Sequence, residues 1–510
     1  MSSTNFFSRI LAMASRDNAP SWAPATSATS ATPLLAKNQR SVGMTAGAVA
    51  SASDVVKRQR VAVIGGGPAG ALMALYLSRF SGFEVDLFEA FEEEKIAGPT
   101  PRSWNVVVFE RGCVALEEGG FEISKESGDL VITLDGVVRH NAAKKRGVGY
   151  SSGSKSICRG DLAMSLLNKA RQSPNVNLHF GHAFLTMDEE KGIATFERGN
   201  GEIFETLFDM LVGADGVNSR VRRALQEHSP GFTVRQSEGP KAYKIVKIPI
   251  MDMEDAEESW KSCAHLSFSK TGSVVGSPRS DGVVSAAVIL PKEGRKSFEE
   301  LMRTTQDVRD FFGNNHPGLF GPHGPSEEVA RNFLEQRRSR RVRTMYCSQL
   351  ALGKVVLIGD AAHAMEASLG QGVNSAFEDC QVLAQVLAAE VEKTGLPQVS
   401  DVQKVLQDYN ELRLEDAHAV CALSEIGVAF NTNKKLMARF IVTVLLNKTL
   451  GRLMPKVFAP PSLFSVNQKN LRYAVIMRAV EREAFIANGV LFGGIALVVA
   501  GVAGRAMVRG

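Results

Sequence analysis

The sequence predicts an α/β protein: a parallel-sheet domain interrupted by an antiparallel-sheet insertion, then helices, the last of them apolar. Three observations carry this. A β-branched run, "VAVI", leads into glycines and a helical pattern within residues 59–90. Stretches such as "KAYKIVKIPI" and "GVVSAAVIL" alternate with a period of two inside 231–345. After residue 375 apolar residues recur at helical spacing, as in "SAFEDCQVLAQVLAAEVEK". Strand–helix–strand order implies a parallel sheet, and alternation implies a sheet with two different faces.

A chain of 510 residues has room for two domains, or for one large α/β domain carrying an insertion. With 44% hydrophobic and 22% charged residues the composition is that of an ordinary globular protein. The formal charge of +5 is small and locally clustered, so it implies no nucleic-acid partner. Six cysteines stand singly without a C-x-x-C pair, which argues for reduced thiols and against a disulfide or zinc framework. The closest histidines, His179 and His182, have no further ligand beside them and read as strand-edge contacts, with no metal site.

The ends differ from the middle. Residues 1–55 are rich in Ser, Ala and Thr, and their acids, Asp17 and Asp54, face Arg9, Arg16, Lys37 and Arg40. That composition reads as an organellar transit peptide, with a plain disordered tail as the alternative. Near the other end, "AFIANGVLFGGIALVVAGVAG" (484–504) runs 21 residues without a charge, between Glu483 and Arg505. About 20 apolar residues cross a bilayer core as a helix, so this reads as a single C-terminal anchor. A buried core helix is the alternative, and one so rich in Gly and Ala would pack poorly.

Between the ends, "QRVAVIGGGPAGALMALYLSRFSGFEVDLFEA" is the clearest pattern. A buried strand meets G-x-G-x-x-G at Gly65, Gly67 and Gly70, a helix follows over Ala69 to Arg79, and a second strand ends on Glu89, followed by Ala90. The first glycine permits the turn, the second admits a pyrophosphate, and the third lets helix and strand pack; the acid suits ribose hydroxyls. Two later turns place Asp215–Gly216, with Ser219 and Arg222, and Asp360 after apolar strands 145 residues apart. One extended cofactor threaded across distant loops fits this, and FAD has that length. "RRSRRVR" (337–343) reads as a solvated or phosphate-attracting edge. Helical spacing of Phe377, Cys380, Leu383 and Leu387 predicts a core-facing stripe.

In order, the motifs G-x-G-x-x-G, D-G-x-x-S-x-x-R and G-D-A-A-H…G-Q-G-x-N resemble those of the group A flavoprotein monooxygenases, the p-hydroxybenzoate hydroxylase class. "PRSWNVVVFERG", "GQGVNSAFEDC" and "LMPKVF" are similar to segments of its kynurenine 3-monooxygenase branch, and the likeness runs from about Arg60 to Gly504. It implies a Rossmann-like FAD-binding domain in two parts (56–230 and 346–395) and an inserted antiparallel-sheet substrate domain (231–345). A C-terminal helical region (396–483) and a transmembrane anchor (484–504) follow, with residues 1–55 as leader.

The resemblance implies FAD as cofactor, NADPH as co-substrate, O₂ and a small aromatic substrate. The chemistry lies with the flavin C4a-hydroperoxide, so no protein nucleophile is required. It assigns Gly65, Gly67, Ala69 and Gly70 to the pyrophosphate, and Glu89 with Ala90 to the adenosine ribose. Arg102 and Arg159 lie along the cofactor, Asp215 lines its groove, and Asp360 accepts from the ribitol. Gly370, Gly372, Val373 and Asn374 turn backbone N–H groups toward the flavin edge, and Tyr150 contacts substrate.

The chain departs from the class at several positions. Ala367 stands where the class carries proline. Of the groups that anchor kynurenine's amino-acid end, Arg139 falls a few residues late, and Gly427 and Ser462 occupy the later pair. Three readings follow: an aromatic hydroxylase, a membrane-bound FAD-dependent epoxidase or reductase acting on a lipophilic isoprenoid, or a non-catalytic flavin binder. The expected location is an organelle membrane, mitochondrial or alternatively plastid.

Overall fold

The strand Gln59–Ile64 lies inside a six-stranded sheet, and Val61 to Ile64 are each at most 3% exposed. Burial on both faces is why this strand reads as an unbroken apolar run. The structure is a computed structural model; it describes residues 58–96, 104–140, 146–149, 153–253, 256–336, 343–429, 434–451 and 462–508. The leader 1–55, Arg102 and Tyr150 lie outside the described residues, as does most of 337–343.

Across the sheet the order is Ala351–Leu352, Val355–Leu357, Met210–Gly213, Gln59–Ile64, Phe83–Phe88 and Val176–His179. All neighbours are parallel except the first pair. In register, Ile64 pairs with Gly213 and with Phe88, and Gly213 pairs with Leu357. Four adjacent strands therefore end level with one another; three are followed by the sequence motifs and the fourth, Phe83–Phe88, by Glu89. The crossover helix Pro68–Leu77 is buried from Gly70 onward, with proline pre-set at its first position. The long helix Gly372–Thr394 buries Phe377, Cys380, Leu383 and Leu387 as its spacing predicts.

The second six-stranded sheet runs Lys241–Pro249, Val283–Pro291, Ser273–Pro278, Cys263–Phe268, Gly136–Arg139 and Arg146–Gly149. Its last two strands come from well before residue 231, joined by parallel pairing of Cys263–Leu266 with Gly136–Arg139. The insertion sheet thus recruits an earlier hairpin to cover what would be an open edge. Val246, Ile248, Val288 and Leu290 pack with Phe311, Phe312 and Phe333 of the helices Thr305–Asn315 and Glu327–Glu335.

Three histidines sit in this layer, each at most 2% exposed. His140 Nε2 lies 2.9 Å from His265 Nδ1, and His316 Nδ1 lies 2.8 Å from Ser267 Oγ. Burial, with His140 adding to it, pushes His265 from 6.5 down to about 4. Burial alone does the same to His316, also to about 4.

Helices Val402–Ala429, Lys434–Leu450 and Tyr473–Val508 complete the chain. The last contains the apolar run 484–504, although the side chains of 491–508 lie outside the described residues. Among the described residues no helix is long and apolar enough to cross a membrane.

The buried histidines give a testable pH dependence. Unfolded rings take up protons as pH falls through 6.5, whereas folded His265 and His316 resist until about 4. Stability is therefore whole above the unfolded value and is lost as pH falls across that window, by about 3 kcal/mol per ring. Denaturant melts across the window should show the loss, and His316→Gln should flatten it.

Candidate functional site

The sheet's carboxyl edge collects the motifs. At Gly65 φ is +109°, a conformation that side chains rarely adopt, and a Cβ there would lie 2.5 Å from Ala214 O. A Cβ on Gly70 would meet Gly65 O at 1.9 Å, so the third glycine lets the helix pack onto the turn. Gly67 differs: nothing lies within 4 Å of a Cβ built on it. It is also the N-cap of the helix Pro68–Leu77 and makes no side-chain cap. Open space before bare helical N–H groups suits a phosphate. Ala69 is half-buried beneath this turn, its carbonyl accepting from Cys380 Sγ at 3.3 Å.

Glu89 ends the neighbouring strand. Its Oε2 accepts from Gly66 N at 2.6 Å and its Oε1 from Phe91 N at 3.0 Å, so the carboxylate shapes the glycine turn as well as facing outward. Ala90 beside it is exposed. On the other side of the first strand, Asp215 Oδ2 accepts from Arg220 N and Val221 N, capping the helix Arg220–His228. Its Oδ1 is buried and without a hydrogen-bond partner, and burial pushes this carboxyl up. Arg222 then ties the turn to the next motif, donating to Ala361 O and Val217 O at 2.7 Å each.

Asp360 follows the strand Val355–Leu357 and its carboxylate is exposed, although the strand itself is fully buried. It faces the start of the long helix, where a Cβ on Gly372 would lie 4.0 Å from Asp360 Oδ1. Gly370 is left-handed at φ +65°, and Val373 is half-buried. The side chain of Asn374 turns inward. Fully buried, it accepts from Phe109 N at 2.8 Å and donates to Val107 O and Gly370 O at 3.0 Å. All of its amide is spent fastening the glycine loop to the segment after Asn105–Val108. Arg159 opens the helix Arg159–Ala170 and is exposed.

Sequence reasoning missed the charges beneath the loop. Asp379 is 0% exposed, yet its Oδ2 accepts from Gly359 N at 2.7 Å and lies 2.6 Å from His363 Nε2. Its Oδ1 accepts from Arg413 Nε at 2.7 Å. Burial alone would raise this carboxyl, but His363 and Arg413 outweigh it and hold the group below the usual range. The one signal was "FEDC", two acids interrupting a stripe of core residues.

Exposed Asp360, the open face at Gly67, the uncapped helix and the orphaned Asp215 Oδ1 fit an extended cofactor with a pyrophosphate and several hydroxyls. The profile of the family described as FAD binding domain matches residues 58–424. A kynurenine 3-monooxygenase from Salinispora arenicola is 30% identical over 413 residues, covering 79% of this chain and 87% of that one. The chain belongs to this FAD-dependent monooxygenase family. The kynurenine 3-monooxygenase of Sus scrofa is 29% identical over 446 residues, 86% of this chain and 90% of that protein. Among solved structures, tetrameric 2-methyl-3-hydroxypyridine-5-carboxylic acid oxygenase superposes with TM-score 0.58 at 20% identity, over 74% of this chain and 94% of that one. PqsL of P. aeruginosa, solved with 2-aminobenzoylacetate, gives 0.57 at 19% over 74% and 98%. At that identity the likeness is one of fold.

Two substitutions separate folding from cofactor binding. Gly65→Ala should destabilise the apoprotein, since its Cβ meets backbone, whereas Gly67→Ala should leave apoprotein melting unchanged and weaken FAD binding. Asp360→Ala should likewise lower FAD affinity, by about 10-fold for one lost charge-assisted bond. Flavin-fluorescence titration beside thermal melts distinguishes these outcomes. Breaking the buried pair with Arg413→Ala should cost about 3–5 kcal/mol, read by denaturant unfolding.

Proposed function

We propose that the protein is an FAD-dependent monooxygenase that uses NADPH and O₂ to hydroxylate an aromatic ring, similar to the kynurenine 3-monooxygenases. The observation that carries this is the convergence of the three motifs and Glu89 on four adjacent strand ends, where ligands of open α/β sheets bind. Relatives named kynurenine 3-monooxygenase at 30%, 29% and 28% identity, from a bacterium, a mammal and an insect, support the aromatic reading over an isoprenoid epoxidase.

In this reading Gly65, Gly67, Ala69 and Gly70 cradle the pyrophosphate at the helix start, and Glu89 with Ala90 borders the adenosine ribose. Asp215 and Asp360 supply acceptors along the ribityl chain, and Arg102 and Arg159 lie beside it. Gly370, Gly372 and Val373 line the flavin edge, with the N-terminus of a 23-residue helix directed there. Asn374 holds that loop in shape and makes its contribution indirectly. Bound FAD supplies the redox and oxygen-activating chemistry. The chain's own task is to orient the ring and keep water out. Tyr150 is the sequence-based candidate for substrate contact.

We read 56–230 with 346–395 as the FAD-binding domain, 231–345 together with the strands Gly136–Arg139 and Arg146–Gly149 as the substrate-side sheet, and 396–483 as helical support. The uncharged run 484–504 continues a 36-residue helix, which supports an organelle-membrane anchor; the composition of 1–55 supports mitochondrial import, or plastid import as the alternative.

The test is NADPH oxidation by FAD-loaded protein with a panel of rings that includes L-kynurenine, with product analysis. Ring-stimulated oxidation coupled to a hydroxylated product is expected. NADPH oxidation that no ring accelerates, yielding peroxide alone, overturns the reading.

A further inference from the structure

Glu366 precedes the flavin loop by four residues, at the seam between the two large sheets. It is 2% exposed. Its Oε2 accepts from Tyr243 Oη at 2.9 Å, and Tyr243 stands on the first strand of the insertion sheet. Its backbone N–H donates to Ser424 Oγ at 3.2 Å. Its other oxygen, Oε1, is buried and has no hydrogen-bond partner. The acid is thus fixed at the main chain and at half of its carboxyl, with one acceptor left over.

A buried acceptor without a partner costs about 1–3 kcal/mol, more when charged. Gly239 packs directly against this oxygen, since a Cβ there would lie 1.6 Å from Oε1. Among the described residues, the groups around the carboxyl bring no positive charge. Glu425, from the helix Val402–Ala429, and Tyr243 face it, and burial with Glu425 pushes it up. An anionic group on a ligand would be repelled here, and a donor would be welcomed.

We propose that Glu366 is a specificity residue whose carboxyl accepts a hydrogen bond from a hydroxyl or amino group on the aromatic substrate. This rests on the monooxygenase reading above. Ring hydroxylation by an electrophilic oxygen needs an electron-releasing substituent, and hydroxyl and amino groups are both electron-releasing and hydrogen-bond donors. A carboxyl fixed on Tyr243 would select such rings and set which carbon is presented.

The experiment measures flavin absorbance changes in FAD-loaded full-length protein titrated with phenol and aniline, and with anisole and N,N-dimethylaniline as their donor-free counterparts. Wild type should bind the donor-bearing pair. Glu366→Gln should weaken that pair by about 10- to 100-fold and leave the methylated pair unchanged. Gly239→Ala, which displaces the carboxyl without removing it, should do the same; FAD stoichiometry checks that each variant is folded. Equal loss for all four rings, no loss, or no binding of phenol and aniline by wild type overturns the proposal. Selective binding without any hydroxylated product leaves Glu366 as a recognition residue and sinks the monooxygenase reading instead.

Discussion

The charge on Asp379 organises the site. Buried completely, it is tolerable only because an arginine, a histidine ring and a backbone N–H converge on its two oxygens. The backbone donor belongs to Gly359, held at φ +58°, the residue that turns the chain out of its strand and exposes Asp360. Arg413 passes the constraint on. It donates to Ser375 in the first turn of the long helix and pairs with Glu378 at 3.3 Å. Glu378 in turn pairs with Arg111 at 2.7 Å, and Arg111 lies over the ring of Tyr473, 4.1 Å from its centroid. Tyr473 donates to Gln371, inside the glycine loop. Removing one charge leaves its partners buried and unpaired, so strand end, glycine loop and base of the C-terminal helix stand or fall together.

What the sequence disclosed follows from the range of the forces involved. Gly65 and Gly70 answer to steric limits within a few residues, so their spacing alone implied a strand–turn–helix. Phe377, Cys380, Leu383 and Leu387 follow from helical period. The pairing of Asp379 with Arg413 spans 34 residues and joins two helices, and no local pattern records it. The strands Gly136–Arg139 and Arg146–Gly149 escaped for the same reason: they enter the insertion sheet through a parallel partner more than a hundred residues away.

Polar motif residues divide into those that hold the loops and those left for a ligand. Asn374, Ser219, Arg222 and half of Asp215 are consumed by backbone groups. Their value is that the motif loops are held in place before anything binds, which lowers the ordering cost of binding. Asp360, the face of Gly67 and Asp215 Oδ1 remain. A motif read as a row of cofactor contacts is, in the folded chain, a few contacts supported by many struts.

The same division accounts for Ala367. A proline there would restrict the residue before it to extended backbone. Glu366 already has φ −64° and ψ 141°, within reach of that requirement, without the ring. Its carboxyl on Tyr243 and its N–H on Ser424 fix the conformation from two sides, and Ser368 adds a bond to Ser424 O at 2.6 Å. Gly427 completes the arrangement, since a Cβ there would lie 2.5 Å from Ser368 Oγ. Where the class resemblance leads one to expect a proline ring, this chain fixes the loop with tertiary hydrogen bonds. A loop held that way carries its shape through its neighbours, so substitutions at Ser424 or Gly427 act on the glycine loop through Glu366 and Ser368.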